Sequence, residues 1–256
     1  MNNIGIALQL YTLREPAAKD VAGTLRRARE LGFDFAQWSG MPDMPAGEAR
    51  RLLDEAGVKA IATHDAIEAF EADFEGRVAY WQTLGAPDVA PGGMMGDCQG
   101  SLEDWLRGAA RINAVGEKLA EVGMRLSYHN HAFELETFEG DERTKLDILY
   151  DATGPEVLYA ELDTAWLHIG GVDPAAYIRK YAFRCPVIHV KDVAAEPAPG
   201  GGPQFVALGQ GVLDWDSIFD ACEEAGVEWC VYEQDNCKGD IFDDVAASYT
   251  FLSQHV

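Results

Sequence analysis

Glu134, Asp163, His189 and Glu233 are side chains of metal-ligand type, separated by 29, 26 and 44 residues. They follow short apolar runs, as in Val187-Ile188-His189 and Val231-Tyr232-Glu233, and packing alone does not explain apolar runs that each lead into a charged group. Three carboxylates gathered at one point would repel one another and resist ionisation unless a cation sat among them. Three oxygen donors and one imidazole suit Mn²⁺, Co²⁺, Fe²⁺ or Mg²⁺ better than a structural zinc, which prefers thiolates. The expected cofactor is one divalent metal ion, Mn²⁺ first, with Co²⁺, Fe²⁺, Mg²⁺ or Zn²⁺ compatible.

The elements that must carry these groups are legible in a recurring phrase: a helix end, a glycine, a spacer and a short apolar strand. It appears around Gly32, Gly57, Gly85, Gly123 and Gly226. Glycine caps a helix because it enters the left-handed region without a Cβ clash. Eight strands are expected, starting near Ile4, Phe35, Ala60, Val89, Leu126, Val157, Val187 and Cys230. Helical stretches lie between them, including Asp20–Leu31, Glu48–Ala56, Leu102–Val122, Trp215–Ala225 and Asp240–Gln254. Strand and helix alternating eight times imply a parallel sheet with right-handed crossovers. At 256 residues the reading is α/β, a single (β/α)₈ TIM barrel over residues 1–256.

In such barrels the site forms at the C-terminal ends of the strands. Those ends read Gln9, Gln37, His64, Pro91, the cluster His129/His131/Glu134, Asp163, His189 and Glu233. The four ligand-type groups therefore sit on four consecutive strands and converge near the axis. Gln9, His64, His129, His131, Lys191 and Trp166 are the candidate substrate contacts, with either His129 or His131 pointing inward. Residues 191–213 show no clear element and include Pro-Ala-Pro-Gly-Gly-Gly-Pro; a loop this long reads as a lid over the mouth.

Twenty Lys and Arg against 43 Asp and Glu leave a formal charge of −23. That balance opposes nucleic-acid binding and docking on anionic membranes. No apolar run reaches the roughly 18 residues of a membrane span. Nor does the start, Met1-Asn2-Asn3, carry a basic leader. Five cysteines without a CxxC pair fit a reduced, cytoplasmic setting.

Particular words are distinctive: Tyr128-His129-Asn130-His131-Ala132-Phe133-Glu134, Glu161-Leu162-Asp163-Thr164-Ala165-Trp166, His189-Val190-Lys191-Asp192, Gly209-Gln210-Gly211 and Tyr232-Glu233-Gln234-Asp235. With Leu8-Gln9-Leu10-Tyr11 they resemble the sugar phosphate isomerase/epimerase family of xylose isomerase-like TIM barrels, along the whole chain. The resemblance implies a divalent metal on Glu134, Asp163, His189 and Glu233, with Glu134 and Glu233 as the acid/base pair. It implies isomerisation, epimerisation or elimination on a carbohydrate through a metal-stabilised enediolate. Homo-oligomers occur among such relatives. Family epimerases place a histidine three residues after the Asp ligand and an arginine shortly after the His ligand. Here those neighbourhoods hold Trp166 and Ala195, and the Tyr-His-Asn-His word is closer to members acting on inososes or 3-keto sugars. Two alternatives stand beside this: a phosphodiesterase like the apurinic endonucleases, opposed by charge, and a non-catalytic sugar-binding barrel.

Overall fold

Residues 4–256 are described here from a computed structural model, so the first three residues of the expected domain lie outside the description. Eight parallel strands close into a barrel: β1 (Gly5–Gln9), β2 (Phe35–Trp38), β3 (Lys59–His64), β4 (Asp88–Ala90), β5 (Arg125–His129), β6 (Tyr159–Asp163), β7 (Val187–Val190) and β8 (Trp229–Tyr232). Each pairs with its sequence neighbours, and β8 closes on β1. Strand β6 starts two residues later than expected, because Val157 and Leu158 still belong to the turn that leaves the preceding helix.

The helices fall where the periodicity places them, at Val21–Glu30, Ala46–Ala56, Leu102–Glu121, Trp215–Ala225 and Ile241–His255. Gly57, Gly85 and Gly226 are the left-handed caps that end their helices. The larger core packs these helices on the outside of the strands. A small apolar plug of Ala7, Ile61, Ala62, Val187 and Val231 fills the barrel itself.

Strand alternation then decides what stands above the plug. Side chains two residues apart share a face, so Val187 is followed inward by His189, Val231 by Glu233, and Ala7 by Gln9. The β2–β3 register shifts where Ala36 faces Ala60 but Gln37 faces Ala62, which leaves Ile61 of β3 as the extra residue beside Gln37.

The expected lid region is more ordered than its composition suggests. Asp192–Val193 pairs antiparallel with Phe205–Val206. The buried Asp192 carboxylate ties the far end of the loop down, accepting from the backbone N–H of Gly209 and Gly211 at 3.0 Å and from Trp215 Nε1 at 2.9 Å. A Cβ on Gly211 would lie 2.1 Å from Asp192 Oδ1, which explains the glycine there. Among the described residues no helix is long and apolar enough to cross a membrane.

Candidate active site

The C-terminal mouth carries two tiers of ionisable groups sharing His129 and His189. In the upper tier, ligand atoms of His129, Asp163, His189 and Glu233 all lie within 4.8 Å of one another. In the lower tier the same holds for His64, His129, Glu161 and His189. Three of the four ligands expected from the sequence are thus brought together. Glu134 is outside both sets.

Asp163 ends β6 and caps the helix Thr164–Ile169, with Oδ1 accepting from Trp166 N at 2.9 Å. Burial raises its pKa to about 6, although Lys191 pulls the other way. His189 sits level with it on β7. Its Nδ1 is 2.8 Å from Glu233 Oε2, and its Nε2 is 2.6 Å from Gln37 Oε1 and 3.0 Å from Glu161 Oε1. Burial opposes the charged imidazole, but Glu161 and Glu233 outweigh it and lift the pKa to about 10. Burial also opposes ionisation of Glu233, yet Lys191 and His189 hold its carboxyl well below the usual range.

Lys191 is 1% exposed, and its ammonium lies 3.1 Å from Asp163, 2.9 Å from Glu233 and 3.1 Å from Asp235. Such a buried cation is tolerable only because these carboxylates surround it.

Glu134 lies on the short helix Phe133–Leu135 that follows β5. Its Oε1 accepts from Tyr128 OH at 3.0 Å and its Oε2 from His131 N at 2.8 Å. Burial pushes its pKa up to about 7.

The two histidines stand at different depths, because β5 ends between them. His129, its last residue, is buried beneath the mouth with Nδ1 3.5 Å from Glu161 Oε1. His131 lies beyond the strand, its ring perpendicular to that of His129 at 5.0 Å and 5.2 Å from Trp166. Burial lowers its pKa to about 4. A cavity of about 460 Å³ opens beside His131, Phe133 and Trp166. His64 is partly exposed at the end of β3, its Nε2 2.6 Å from Glu161 Oε1. Gln9 is buried with Nε2 unpartnered among the described residues. A larger cavity, about 700 Å³, lies to one side against Arg14 and Asp235.

The upper tier fits a divalent cation in its donor chemistry, with two carboxylates and two imidazoles. Among the described residues neither Asp163 Oδ2 nor His129 Nδ1 makes a well-aligned hydrogen bond; their neighbours are the Lys191 ammonium at 3.1 Å and Glu161 Oε1 at 3.5 Å, which leaves both atoms open to a cation. Glu161 and Gln37 received no role from the sequence. The available signal was alternation: Glu161 is two residues before Asp163 and must share its face.

A family model described as "Xylose isomerase-like TIM barrel" matches residues 25–252. An inosose dehydratase from Lacticaseibacillus casei is 28% identical over 166 residues, 59% of this chain and 54% of that protein. The match thus spans about half the length of that curated relative. Among solved structures, a sugar phosphate isomerase/epimerase from Parabacteroides distasonis superposes with a TM-score of 0.82 at 18% identity, covering 98% of this chain and 94% of that one. An L-ribulose 3-epimerase superposes at 0.73, also with 18% identity and the same coverage. These superpositions show a shared fold.

Proposed function

The chain belongs to the xylose isomerase-like TIM barrel family, and on that premise we propose a metal-dependent isomerase, epimerase or dehydratase that moves a proton beside the carbonyl of a keto-sugar or keto-inositol. The observation carrying this reading is the gathering of Asp163, His189 and Glu233 at the barrel mouth, where enzymes of this architecture work. Glu134, Asp163, His189 and Glu233 would hold the cation. Glu134 enters on its motif, with one hydrogen bond on each oxygen and lone pairs to spare. A divalent cation supplies Lewis acidity, which acidifies a C–H between a carbonyl and a hydroxyl.

The chain's own groups do the rest. Glu134 and Glu233 are the proposed acid/base pair, one taking the proton and the other returning it to carbon or to a leaving hydroxyl. Lys191 offers an ammonium to a substrate oxygen. His131 and Trp166 wall the mouth, and Gln9, His64 and His129 offer polar atoms beneath a sugar ring. Relatives named for inosose dehydration and for ketose epimerisation both match this chain, and either outcome begins with the same proton removal.

The test is metal content by elemental analysis after purification without chelator, followed by C–H exchange of keto-sugars and inososes in D₂O. About one divalent metal per chain with metal-dependent exchange supports the reading. Three zincs per chain would favour a phosphodiesterase, and a metal-free protein that binds sugar without exchange would favour a binding barrel.

A further inference from the structure

Glu161 is fully buried at the centre of the barrel, and its carboxylate gathers side chains from four other strands. Oε2 accepts from Gln37 Nε2 of β2 at 2.8 Å. Oε1 meets His64 Nε2 of β3 at 2.6 Å and His189 Nε2 of β7 at 3.0 Å, with His129 Nδ1 of β5 farther off at 3.5 Å. Because the Gln37 amide nitrogen is committed to Glu161, its oxygen faces His189 Nε2, at 2.6 Å. Two acceptors thus converge on one nitrogen of His189. Its other nitrogen, Nδ1, faces the upper tier at Glu233 Oε2.

A metal-binding imidazole needs one nitrogen protonated and the other bare, and the partner of the protonated nitrogen decides which is which. We propose that Glu161, assisted by Gln37, is a positioning residue for His189: it keeps the proton on Nε2 and aims Nδ1 at the carboxylates of Asp163 and Glu233. Its bond to His64 fixes the carboxylate from a third side. This rests on the proposed metal site. It adds a residue two places before a ligand that touches neither cation nor substrate.

The test compares wild type, Glu161→Ala and Glu161→Gln as full-length proteins. Mn²⁺ affinity is measured by calorimetry, and the His189 tautomer by long-range ¹⁵N–¹H correlation of the diamagnetic Zn²⁺-loaded protein. Loss of such a partner costs about 10–100-fold in metal affinity. The expected result is a fall of that size in Glu161→Ala, partial recovery in Glu161→Gln, which keeps one acceptor, and a proton on Nε2 in wild type. Unchanged affinity in Glu161→Ala, or a wild-type proton on Nδ1, overturns the assignment while leaving the metal site standing. A wild type that takes up no Mn²⁺ overturns the metal site, and this inference with it. Should Glu161→Ala fail to fold, the wild-type spectrum decides.

Discussion

Lys191 Nζ lies 2.9 Å from Glu233 Oε2, so the barrel places a cation of its own against a carboxylate that would also hold a metal. The ammonium reaches Asp163 and Asp235 as well. Two positive charges contending for the same carboxylates weaken each other. Lys191→Met should therefore bind Mn²⁺ at least about tenfold more tightly, an estimate that takes one screened charge contact as roughly 1.4 kcal/mol or more. The metal-free variant should also melt lower, because removing one partner of a buried ion cluster costs about 3–5 kcal/mol. Calorimetric titration and melting curves with and without Mn²⁺ check both effects. Equal or weaker Mn²⁺ binding would show that Lys191 does not contend with the metal.

At the opposite end of the barrel, Asp88 is buried on β4 with Arg125 Nε at 3.0 Å and Ser127 Oγ at 2.8 Å. Burial raises its pKa from 3.8 to about 7 despite Arg125. A carboxyl whose folded pKa is raised contributes stability that is complete below the unfolded value and is lost as pH rises through the folded one. Wild type should therefore lose stability relative to Asp88→Asn between pH 4 and 7, by at most about 4 kcal/mol. Urea unfolding of both proteins across that range measures the difference. Parallel curves would mean that Asp88 stays ionised in the fold.

The barrel was legible in the chain because each βα unit announces itself locally, through a glycine that ends a helix and an apolar run that starts a strand. Gly57, Gly85 and Gly226 needed nothing distant to be read. Asp163, His189 and Glu233 were legible for the same reason, each standing at or just past a strand end. Glu161 was hidden inside an apolar strand: only closure of the barrel brings Gln37, 124 residues away, within hydrogen-bond distance of it. The ribbon inside the Pro- and Gly-rich loop was hidden likewise, since its order comes from Asp192 binding backbone groups up to 21 residues downstream.

That anchoring makes the loop testable. Asp192 takes backbone N–H groups of Gly209 and Gly211 and the Trp215 indole on one oxygen, while Phe205 packs edge-on to Trp166 at 5.3 Å. Hydrogen bonds to a charged group are worth about 1.5–3 kcal/mol each. Asp192→Ala should lose about 3 kcal/mol or more and be cut by protease within residues 194–213 much faster than wild type. If the loop is a lid, a bound keto-sugar should slow that cleavage in wild type. Cleavage indifferent to both substitution and sugar would leave the loop a plain insertion.

Holding the cation and moving the proton can be separated with two substitutions. Asp163 is proposed only as a ligand, whereas Glu134 is proposed as ligand and proton carrier. Dialysis against a chelator should abolish C–H exchange in wild type, and Mn²⁺ should restore it. In Asp163→Asn the loss should lie mainly in metal affinity, so exchange recovers substantially when Mn²⁺ is raised well above the wild-type requirement. In Glu134→Gln exchange should stay down by about 10²–10⁴-fold even at saturating Mn²⁺, the usual contribution of a positioned acid or base. Titrating Mn²⁺ against exchange rate in all three proteins gives the comparison directly. Full recovery of Glu134→Gln at high Mn²⁺ would reduce Glu134 to a ligand and move the proton transfer to another residue of the mouth.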